Sequence, residues 1–235
     1  MKKLEMLYEG KAKKVYKTDN EDLYIVDYKD DATAFNGAKK GTISGKGVIN
    51  NKMTNLVFKY LNENGINTHL VEELSERETL VKKVEIVPLE VIVRNIAAGS
   101  FSAKYGVPEG TELKNPIVEF SYKNDALNDP MINNSQIEAI GIATAEEIEE
   151  ITESVKKVNE LLQKFFLECN IILVDFKVEY GRCKEGIILA DEISPDTCRL
   201  WDKDTREKLD KDRFRRDLGG VEDAYNEVWR RITSR

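Results

Sequence analysis

Residues 171–193 read IILVDFKVEYGRCKEGIILADEI, two β-rich runs that flank a short polar stretch. Runs of this composition, bounded by Gly and charged residues, are typical of strands. We predict an antiparallel hairpin in which strands 171–180 and 186–193 are joined by residues 181–185. Because the second strand is apolar almost throughout, it is expected to be buried.

Charged side chains are spaced along both predicted strands. Asp175, Lys177 and Glu179 alternate with apolar residues, which places all three on one face. A solvated strand face shows the same alternation, and that reading is favoured for an arbitrary strand. The second strand, however, carries Asp191 and Glu192 in an otherwise apolar run, and a buried carboxylate needs a cation. The pattern favours carboxylates on adjacent strands facing a lysine, the oxygen ligands that Mg²⁺ prefers when it also holds nucleotide phosphates.

The register of the hairpin decides which carboxylates meet. A turn centred near Cys183 and Lys184 sets Asp191 opposite Asp175 or its neighbour. Glu179 then lies several residues along, unless a bulge or a longer loop changes the pairing. Asp191 is therefore predicted to be a metal ligand, and the register leaves open which carboxylate is the second ligand.

The residues before the hairpin predict a small antiparallel sheet. Within residues 1–45, short β-rich runs alternate with turns, as in a meander. Three further β-rich runs, 66–73, 79–87 and 89–96, are predicted to extend the same sheet. Pro88 separates the last two, because proline cannot donate to a central ladder.

Three helices are predicted from apolar periodicity. Residues 48–65 follow a 3.6-residue period and end at a glycine suited to a left-handed stop. Thr144 and Glu147 form a capping box ahead of a long apolar stripe. The charged C-terminal tail ends in a third helix over the apolar residues of 224–232. The stretch 97–143 is rich in Pro, Asn, Asp and Gly and is predicted to be mostly loop.

Composition indicates a globular protein and excludes several classes. The chain has 235 residues, enough to bury a sizeable core in one domain or two small lobes. Hydrophobic residues make up 41% and charged residues 34%, which argues against disorder, collagen-like repeats and coiled coil. With 36 basic and 43 acidic side chains the net charge is −7, so binding to nucleic acid or to an anionic membrane is not expected.

Cysteine and histidine are too few for several kinds of site. Cys169, Cys183 and Cys198 have no CxxC spacing, which argues against a disulfide framework or a zinc site and for a reducing compartment. Because no leader-like segment or run of 18 apolar residues is visible, a cytoplasmic location is expected. His69 is the only histidine, and in its β-rich run a structural role is favoured over a catalytic one.

A second candidate constellation is the glycine turn in YEGKAKKVY, residues 8–16. Gly10 allows close approach of the backbone to a ligand, and Lys11 can neutralise phosphate oxygens. The stretch is not a Walker A motif. Taken alone, it is better explained as an exposed hairpin with solvated lysines.

A third constellation occupies VPLEVIVRNIAAGS, residues 87–100. Glu90 and Arg94 share one strand face, and the strand runs into a small-residue turn that ends in Gly99 and Ser100. Such a turn presents backbone N–H groups and a hydroxyl to an anion, with Arg94 beside it. A structural Glu90–Arg94 pair, with Ser100 as an ordinary N-cap, explains the same spacing equally well.

Two polar segments complete the candidates. ISPDTCRLWD, residues 193–202, follows directly after the carboxylate predicted to bind metal. DRFRRD, residues 212–217, supplies further guanidinium groups. Either segment is also explained as a solvated loop or a charged helix face, and that interpretation is favoured for 212–217.

Together these stretches resemble one family, the phosphoribosylaminoimidazole-succinocarboxamide synthases, or SAICAR synthetases, of de novo purine biosynthesis. The similarity runs in order from Tyr8 to the C-terminal helix. It is most specific in IVPLEVIVRNIAAGS, residues 86–100, and LVDFKVEYG, residues 173–181. The tracts LADEISPDTCRLWD, residues 189–202, and DPMIN, residues 129–133, add to it.

The resemblance implies an amide-forming carbon–nitrogen ligase. ATP, L-aspartate and CAIR (5-amino-1-(5-phospho-D-ribosyl)imidazole-4-carboxylate) would give SAICAR, ADP and phosphate through an acyl phosphate. It also implies an α+β fold of two lobes with nucleotide between them. Residues 1–87 would form a small antiparallel sheet like the N-lobe of protein kinases, and residues 88–235 a larger lobe akin to ATP-grasp enzymes. ATP and Mg²⁺ are the implied cofactors, and a homo-oligomer is left open.

Carried over residue by residue, the resemblance also implies the site residues. The ATP site would contain Gly10, Lys11, Ala12 and Lys13 at the phosphates and Lys82, Val84 and Glu85 at the adenine. Glu179 and Asp191 would hold Mg²⁺, and the catalytic group would be Lys11, Asp175 and Lys177. CAIR would be surrounded by Arg94, Ser100, Lys177, Asp196, Arg199 and Arg215. Residues 129–135 are the candidates for the aspartate pocket.

Two other functions would use the same residues. A small-molecule kinase would share the nucleotide site and the carboxylate-bound Mg²⁺ but would release a stable phosphorylated product. A non-catalytic nucleotide-binding module would need no carboxylate pair beside Lys177. The ligase is favoured over both, and aspartate-dependent release of ADP separates it from the kinase.

Overall fold

The computed structural model describes residues 1–34 and 37–235 of the chain. The strands, in chain order, are β1 (Lys3–Glu9), β2 (Lys13–Thr18), β3 (Leu23–Tyr28), β4 (Asp31–Ala34), β5 (Lys39–Thr42), β6 (Leu70–Glu73), β7 (Glu78–Lys82), β8 (Glu85–Ile86), β9 (Leu89–Ile96), β10 (Glu112–Tyr122), β11 (Met131–Ile132), β12 (Ile171–Cys183), β13 (Gly186–Ala190) and β14 (Cys198–Asp202). The α-helices are α1 (Lys46–Glu63), α2 (Gly99–Tyr105), α3 (Asn134–Ala139), α4 (Ala145–Glu168), α5 (Asp212–Arg215) and α6 (Val221–Thr233).

Two antiparallel sheets carry most of the strands. The smaller sheet has five strands in the order β1-β2-β3-β7-β6. The larger sheet has seven, along the path β11-β10-β9-β12-β13, with β8 and β14 also paired to β12. Strands β4 and β5 form a separate two-stranded ribbon. This arrangement confirms the predicted α+β fold and its N-terminal antiparallel meander.

Strand β12 is the centre of the larger sheet. Asp175 and Phe176 pair with β9 on one edge and with β14 on the other. Phe176, Val178 and Tyr180 are buried in the core beneath α4, and the Tyr180 hydroxyl lies 3.1 Å from that of Ser154 on this helix. The alternation of side chains therefore leaves the opposite face of β12 to its charged residues.

The hairpin register differs from the prediction. The ladder continues from Glu179–Ala190 to Cys183–Gly186, so that only Lys184 and Glu185 form the connection. The predicted pairing of Asp191 with Asp175 is therefore wrong. Asp191 instead follows the residue that pairs with Glu179, and the two candidate metal ligands come side by side.

Gly181 is the reason for this difference. It does not form a turn but lies inside β12, paired with both β8 and β13. A Cβ atom at this position would lie 2.4 Å from Cγ2 of Val84. Glycine is needed because the chain before β8 crosses β12 at close range.

The prediction that the run 89–96 extends the smaller sheet is wrong. It forms β9, which lies in the larger sheet between β10 and β12. The neighbouring run, 79–87, divides into β7 of the smaller sheet and β8 of the larger one. Pro88 falls between β8 and β9, at the break expected from its missing N–H.

The prediction that residues 97–143 are mostly loop is also wrong. They contain β10, eleven residues long, together with α2, α3 and β11. Pro116 is tolerated because it lies in the irregular part of the β9–β10 ladder, between the paired residues Glu112 and Ile117.

The three predicted helices are confirmed. Helix α1 ends before Gly65, which adopts the left-handed conformation with φ of 81°. One apolar core joins α1, α4 and α6 to the larger sheet. No helix among residues 1–34 and 37–235 is long and apolar enough to cross a membrane.

The capping box of α4 gives a test of local stability. The Thr144 hydroxyl accepts the N–H of Glu147 at 3.2 Å, and the Glu147 carboxylate accepts the N–H of Thr144 at 2.9 Å. We expect Thr144→Ala to lower the free energy of unfolding by about 1 kcal/mol. Thr152→Ala, the same change inside the same helix, is the control and should cost less, because alanine favours helix interiors. Equal losses in urea denaturation would contradict the capping role.

Candidate active site

Two cavities meet on the charged face of β12. The first, of about 490 Å³, lies between the smaller sheet and β9 and β12. The second, of about 260 Å³, is lined by β9, β12 and the segment that follows β13. Glu90 and Lys177 line both, so the cavities adjoin at these two side chains.

The first cavity brings together most of the residues predicted for ATP. They are Gly10, Lys11 and Ala12 from the turn between β1 and β2, Lys13 at the start of β2, and Lys82 and Val84. The side chain of Glu85 is exposed, lies 3.7 Å from Arg182 and does not line the cavity. Apolar side chains form part of the wall: Leu7, Val15, Val26, Val81, Val84 and Ile86.

The lysines of the glycine turn are not simply solvated. Lys13 bonds to the Asp191 carboxylate and lies 3.3 Å from that of Glu192. Lys11 reaches Asp125 at 2.7 Å, beyond the end of β10. Strand β1 and Lys11 are exposed, as the hairpin interpretation expects, whereas Lys13 is largely buried and paired with the carboxylates that follow β13.

Lys177 is the centre of a cluster of charges. Its Nζ atom lies 3.0 Å from Oε1 of Glu179 and 3.2 Å from Oδ2 of Asp191. Lys123 donates to the other oxygen of Glu179 at 2.6 Å. Each carboxylate thus lies between two ammonium groups, since Lys13 bonds to the other oxygen of Asp191.

Mutual stabilisation keeps these groups charged. Burial alone would lower the pKa of Lys177, but the neighbouring carboxylates, first Glu179 and then Asp191, hold that pKa well above its usual value. Burial would likewise raise the pKa of Asp191, but Lys13 and Lys177 hold it well below the usual range. Lys177 and Asp191 are therefore both charged across the physiological pH range.

Asp191 has an unusual backbone conformation. Its φ is 60°, in the left-handed region that few residues other than glycine adopt. The buried ring of His69 bonds to the backbone of Asp191, and the backbone N–H of His69 donates to the Leu189 carbonyl at 2.9 Å. Burial lowers the pKa of His69 to about 4, so this ring is neutral. The contacts agree with the structural role predicted for this histidine.

The second cavity collects every residue predicted for CAIR. Its lining includes Arg94, Ser100, Lys177, Asp196, Arg199 and Arg215, and also Asp175. Asp175 accepts hydrogen bonds from Arg199 at 2.8 Å and from Arg94 at 3.2 Å. Two guanidinium groups therefore share one carboxylate at the wall of this cavity.

Asp196 is held from three elements. Lys46 of α1 donates to it at 2.6 Å, and the Tyr225 hydroxyl of α6 donates at 2.6 Å. Lys211 lies 3.6 Å away. Lys46 is completely buried, so its charge is compensated by this carboxylate.

The structure contradicts one of the alternative explanations and limits the other. Arg94 bonds to Glu119 at 2.6 Å and to Asp175, whereas Glu90 faces Lys177 at 3.7 Å, so the structural Glu90–Arg94 pair does not form. Residues 212–217 are not only a charged helix face, because Asp212 is buried and Arg215 lines the second cavity.

Several site residues were missed by sequence reasoning. Glu90 and Lys123 line the first cavity, and Lys46 and Asp212 hold residues of the second. Glu90 carried a signal, because it lies on the same strand face as Arg94. Asp212 carried one as well, because it lies in the arginine-rich segment 212–217 and contacts Arg215 three residues away. Lys46 and Lys123 carried none, since their contacts span large separations along the chain.

The carboxylates of the first cavity suit Mg²⁺. Among the described residues, no group of three or more His, Cys, Asp or Glu is arranged to hold a metal alone. Mg²⁺ commonly takes one or two carboxylates and completes its shell with phosphate oxygens and water. Glu179 and Asp191 both bond to the ammonium group of Lys177, so they lie close enough together to act as the two carboxylate ligands of an ion that also binds nucleotide phosphates.

Comparison with known proteins decides the family. The sequence model of the SAICAR synthetase family matches residues 6–232. The chain belongs to the SAICAR synthetase family. The phosphoribosylaminoimidazole-succinocarboxamide synthase of Lachnoclostridium phytofermentans is 66% identical over 232 residues, with 99% of each chain covered.

Solved structures of SAICAR synthetases share the fold. The phosphoribosylaminoimidazole-succinocarboxamide synthase from Ehrlichia chaffeensis superposes with a TM-score of 0.96 at 45% identity, covering 97% of this chain and 98% of that one. A SAICAR synthetase (Type-2) in complex with ADP has a TM-score of 0.95 at 50% identity, with 98% of each chain covered.

Membership in the family confirms the expected function. SAICAR synthetases are ligases of purine biosynthesis that join L-aspartate to CAIR with ATP. The chain is such an ATP-dependent ligase, which sets aside the small-molecule kinase and the non-catalytic module.

A buried carboxyl next to the second cavity gives a test of the electrostatics. Asp210 accepts the N–H of Asp212 at 2.7 Å and that of Leu200 at 2.8 Å. Burial, followed by the neighbouring charge of Asp212, raises the pKa of Asp210 to about 7. The folded protein thus keeps a proton that the unfolded chain loses near pH 4.

We therefore expect Asp210 to make stability fall as pH rises. Its contribution to the free energy of unfolding should decline between about pH 4 and pH 7, by up to about 4 kcal/mol. Asp210→Asn should lack this dependence, so wild type should lose stability relative to the variant as pH rises. Urea denaturation of both proteins at several pH values measures the difference. A difference that stays constant would show that Asp210 is ionised throughout.

Proposed function

We propose that the first cavity binds ATP, the second binds CAIR, and the phosphoryl group passes between them beside Lys177. The observation that carries this proposal is the junction itself. Lys177 lines both cavities and contacts both carboxylates predicted to hold metal. A phosphoryl donor in one cavity and a carboxylate acceptor in the other would meet at this ammonium group.

The first cavity supplies the contacts that a nucleotide needs. Its apolar wall, which includes Val15, Val81 and Val84, suits the flat face of adenine. Gly10 allows the backbone to approach the phosphates, and Lys11 and Lys13 supply charge near them. When ATP binds, Lys11 would move from Asp125, and Lys13 from Asp191, to oxygens of the phosphates.

We assign Glu179 and Asp191 to Mg²⁺. The ion would neutralise charge on the transferring phosphoryl group. Lysines already contact both carboxylates, so the ion would take the place of positive charge that is present beside them. Lys123 and Lys177 would then be free to contact phosphate oxygens instead.

The second cavity supplies the contacts that CAIR needs. CAIR carries a phosphate and a carboxylate, and the planar fork of arginine binds such groups with two parallel hydrogen bonds. Arg94, Arg199 and Arg215 line the wall with the Ser100 hydroxyl. Asp175 lies between Arg94 and Arg199 and limits repulsion between them.

The reaction needs an electrophile, because a carboxylate and an amine do not condense in water. A CAIR carboxylate oxygen attacks the γ-phosphorus of ATP, and the bond from phosphorus to the leaving ADP oxygen breaks. The amine of L-aspartate then attacks the acyl carbon, forming the C–N bond. Inorganic phosphate leaves with the electron pair of the C–O bond, and the nitrogen loses its proton. Positioning and charge stabilisation are the tasks of the protein in both steps.

The remaining assignments follow from the same function. Residues 129–135 are proposed for the aspartate pocket, and Asp129 already lines the first cavity. Residues 1–87 and 88–235 are proposed as the two lobes around the nucleotide. A cytoplasmic location and the lack of a nucleic-acid partner are proposed because the substrates are small molecules. The proposal is compatible with a monomer and with a homo-oligomer.

An isotope experiment tests the acyl phosphate. CAIR with heavy oxygen in its carboxylate is incubated with ATP and L-aspartate, and the inorganic phosphate is analysed by mass spectrometry. One labelled oxygen should appear in phosphate for each amide formed, because the phosphorylated oxygen leaves with it. Unlabelled phosphate with complete amide formation would rule the intermediate out. Omitting aspartate is the control, and label should then stay out of free phosphate.

A further inference from the structure

The arginines of the second cavity belong to one chain of ion pairs. Glu119 holds Arg94, and Asp175 holds both Arg94 and Arg199. Asp212 continues the chain, because it accepts from Nε of Arg199 at 2.9 Å and from Nη1 of Arg215 at 2.6 Å. Three carboxylates thus fix three guanidinium groups along the wall of the cavity.

Asp212 is itself fixed by its surroundings. It begins α5 and is almost completely buried. Asp210 accepts its backbone N–H at 2.7 Å, which holds the main chain at the start of α5. Both of its carboxylate oxygens are used by arginines, so Asp212 has no free oxygen aimed at a ligand.

Arg199 is confined on a third side by Gly99. A Cβ atom on Gly99 would lie 2.3 Å from Nη2 of Arg199. Gly99 also has a φ of 52°, which disfavours other residues. The guanidinium of Arg199 is therefore seated between Asp175, Asp212 and the backbone at Gly99.

We propose that Asp212 is a positioning residue for CAIR, one that sets the planes of Arg199 and Arg215 without touching the substrate. This inference rests on the proposed assignment of the second cavity to CAIR. Guanidinium groups that share a cavity repel one another, and a buried carboxylate between two of them opposes that repulsion. Their orientation then exists before the ligand arrives, so that binding costs less conformational entropy.

The test compares variants that disturb the seat of Arg199 in different ways. Asp212→Asn removes the charge between the two arginines, and Gly99→Ala displaces Arg199 directly. Both should raise KM for CAIR by about tenfold or more, with little change in KM for ATP. Asp212→Glu keeps the charge and should recover part of the loss.

Glu227→Gln is the matched control. Glu227 also holds two arginines, Arg230 at 2.7 Å and Arg231 at 2.7 Å, but it lies on α6 outside both cavities. This variant should lower thermal stability without changing either KM. The comparison separates the loss of an ion pair from the loss of a positioned guanidinium group.

The outcomes distinguish this inference from the assignment on which it rests. If Arg199→Lys raises KM for CAIR but folded Asp212→Asn does not, the positioning role is overturned and the CAIR site stands. If Arg199→Lys leaves KM for CAIR unchanged, the assignment of the second cavity itself fails. Should Asp212→Asn not fold, Gly99→Ala decides, and a normal KM for CAIR in that variant overturns the proposal.

Discussion

The contact of Lys177 with Glu179 and Asp191 is the interaction on which the site depends. A partly buried ammonium group needs opposite charges to compensate its lost hydration, and the two carboxylates provide them at 3.0 and 3.2 Å. These groups come from separate places, since Glu179 is on β12 and Asp191 follows β13. Lys13 of β2 also bonds to Asp191, so one ionic cluster ties the smaller sheet to the larger.

Ion pairs of this kind are a poor source of stability. Their Coulomb attraction roughly offsets the cost of removing the charges from water, so packed apolar residues would serve the fold equally well. Their presence at the junction of two cavities points to function instead. In the function proposed above, the lysines that neutralise these carboxylates would pair with the phosphates of a nucleotide bound with Mg²⁺. The arginines of the second cavity follow the same pattern, with Asp175 and Asp212 keeping them apart.

Local patterns predicted a large part of this structure. Period-two alternation placed Lys177 and Glu179 on one face, and the capping box at Thr144 predicted the start of α4. The motifs of residues 86–100 and 173–181 predicted the family. The hairpin register could not be predicted, because Gly181 is needed for contact with distant Val84 and not for a turn. Likewise, Glu90 faces Lys177 only because β9 pairs with β12, which no local pattern encodes.

The central claim is that one ammonium group serves both cavities, and Lys177→Met tests it most directly. Methionine keeps much of the length of the side chain and removes its charge. Steady-state turnover should fall by about 100-fold or more, because an electrostatic stabiliser of the transferring phosphoryl group is lost. Circular dichroism of the variant shows whether the fold is retained. A folded Lys177→Met protein with near wild-type kcat would contradict the claim.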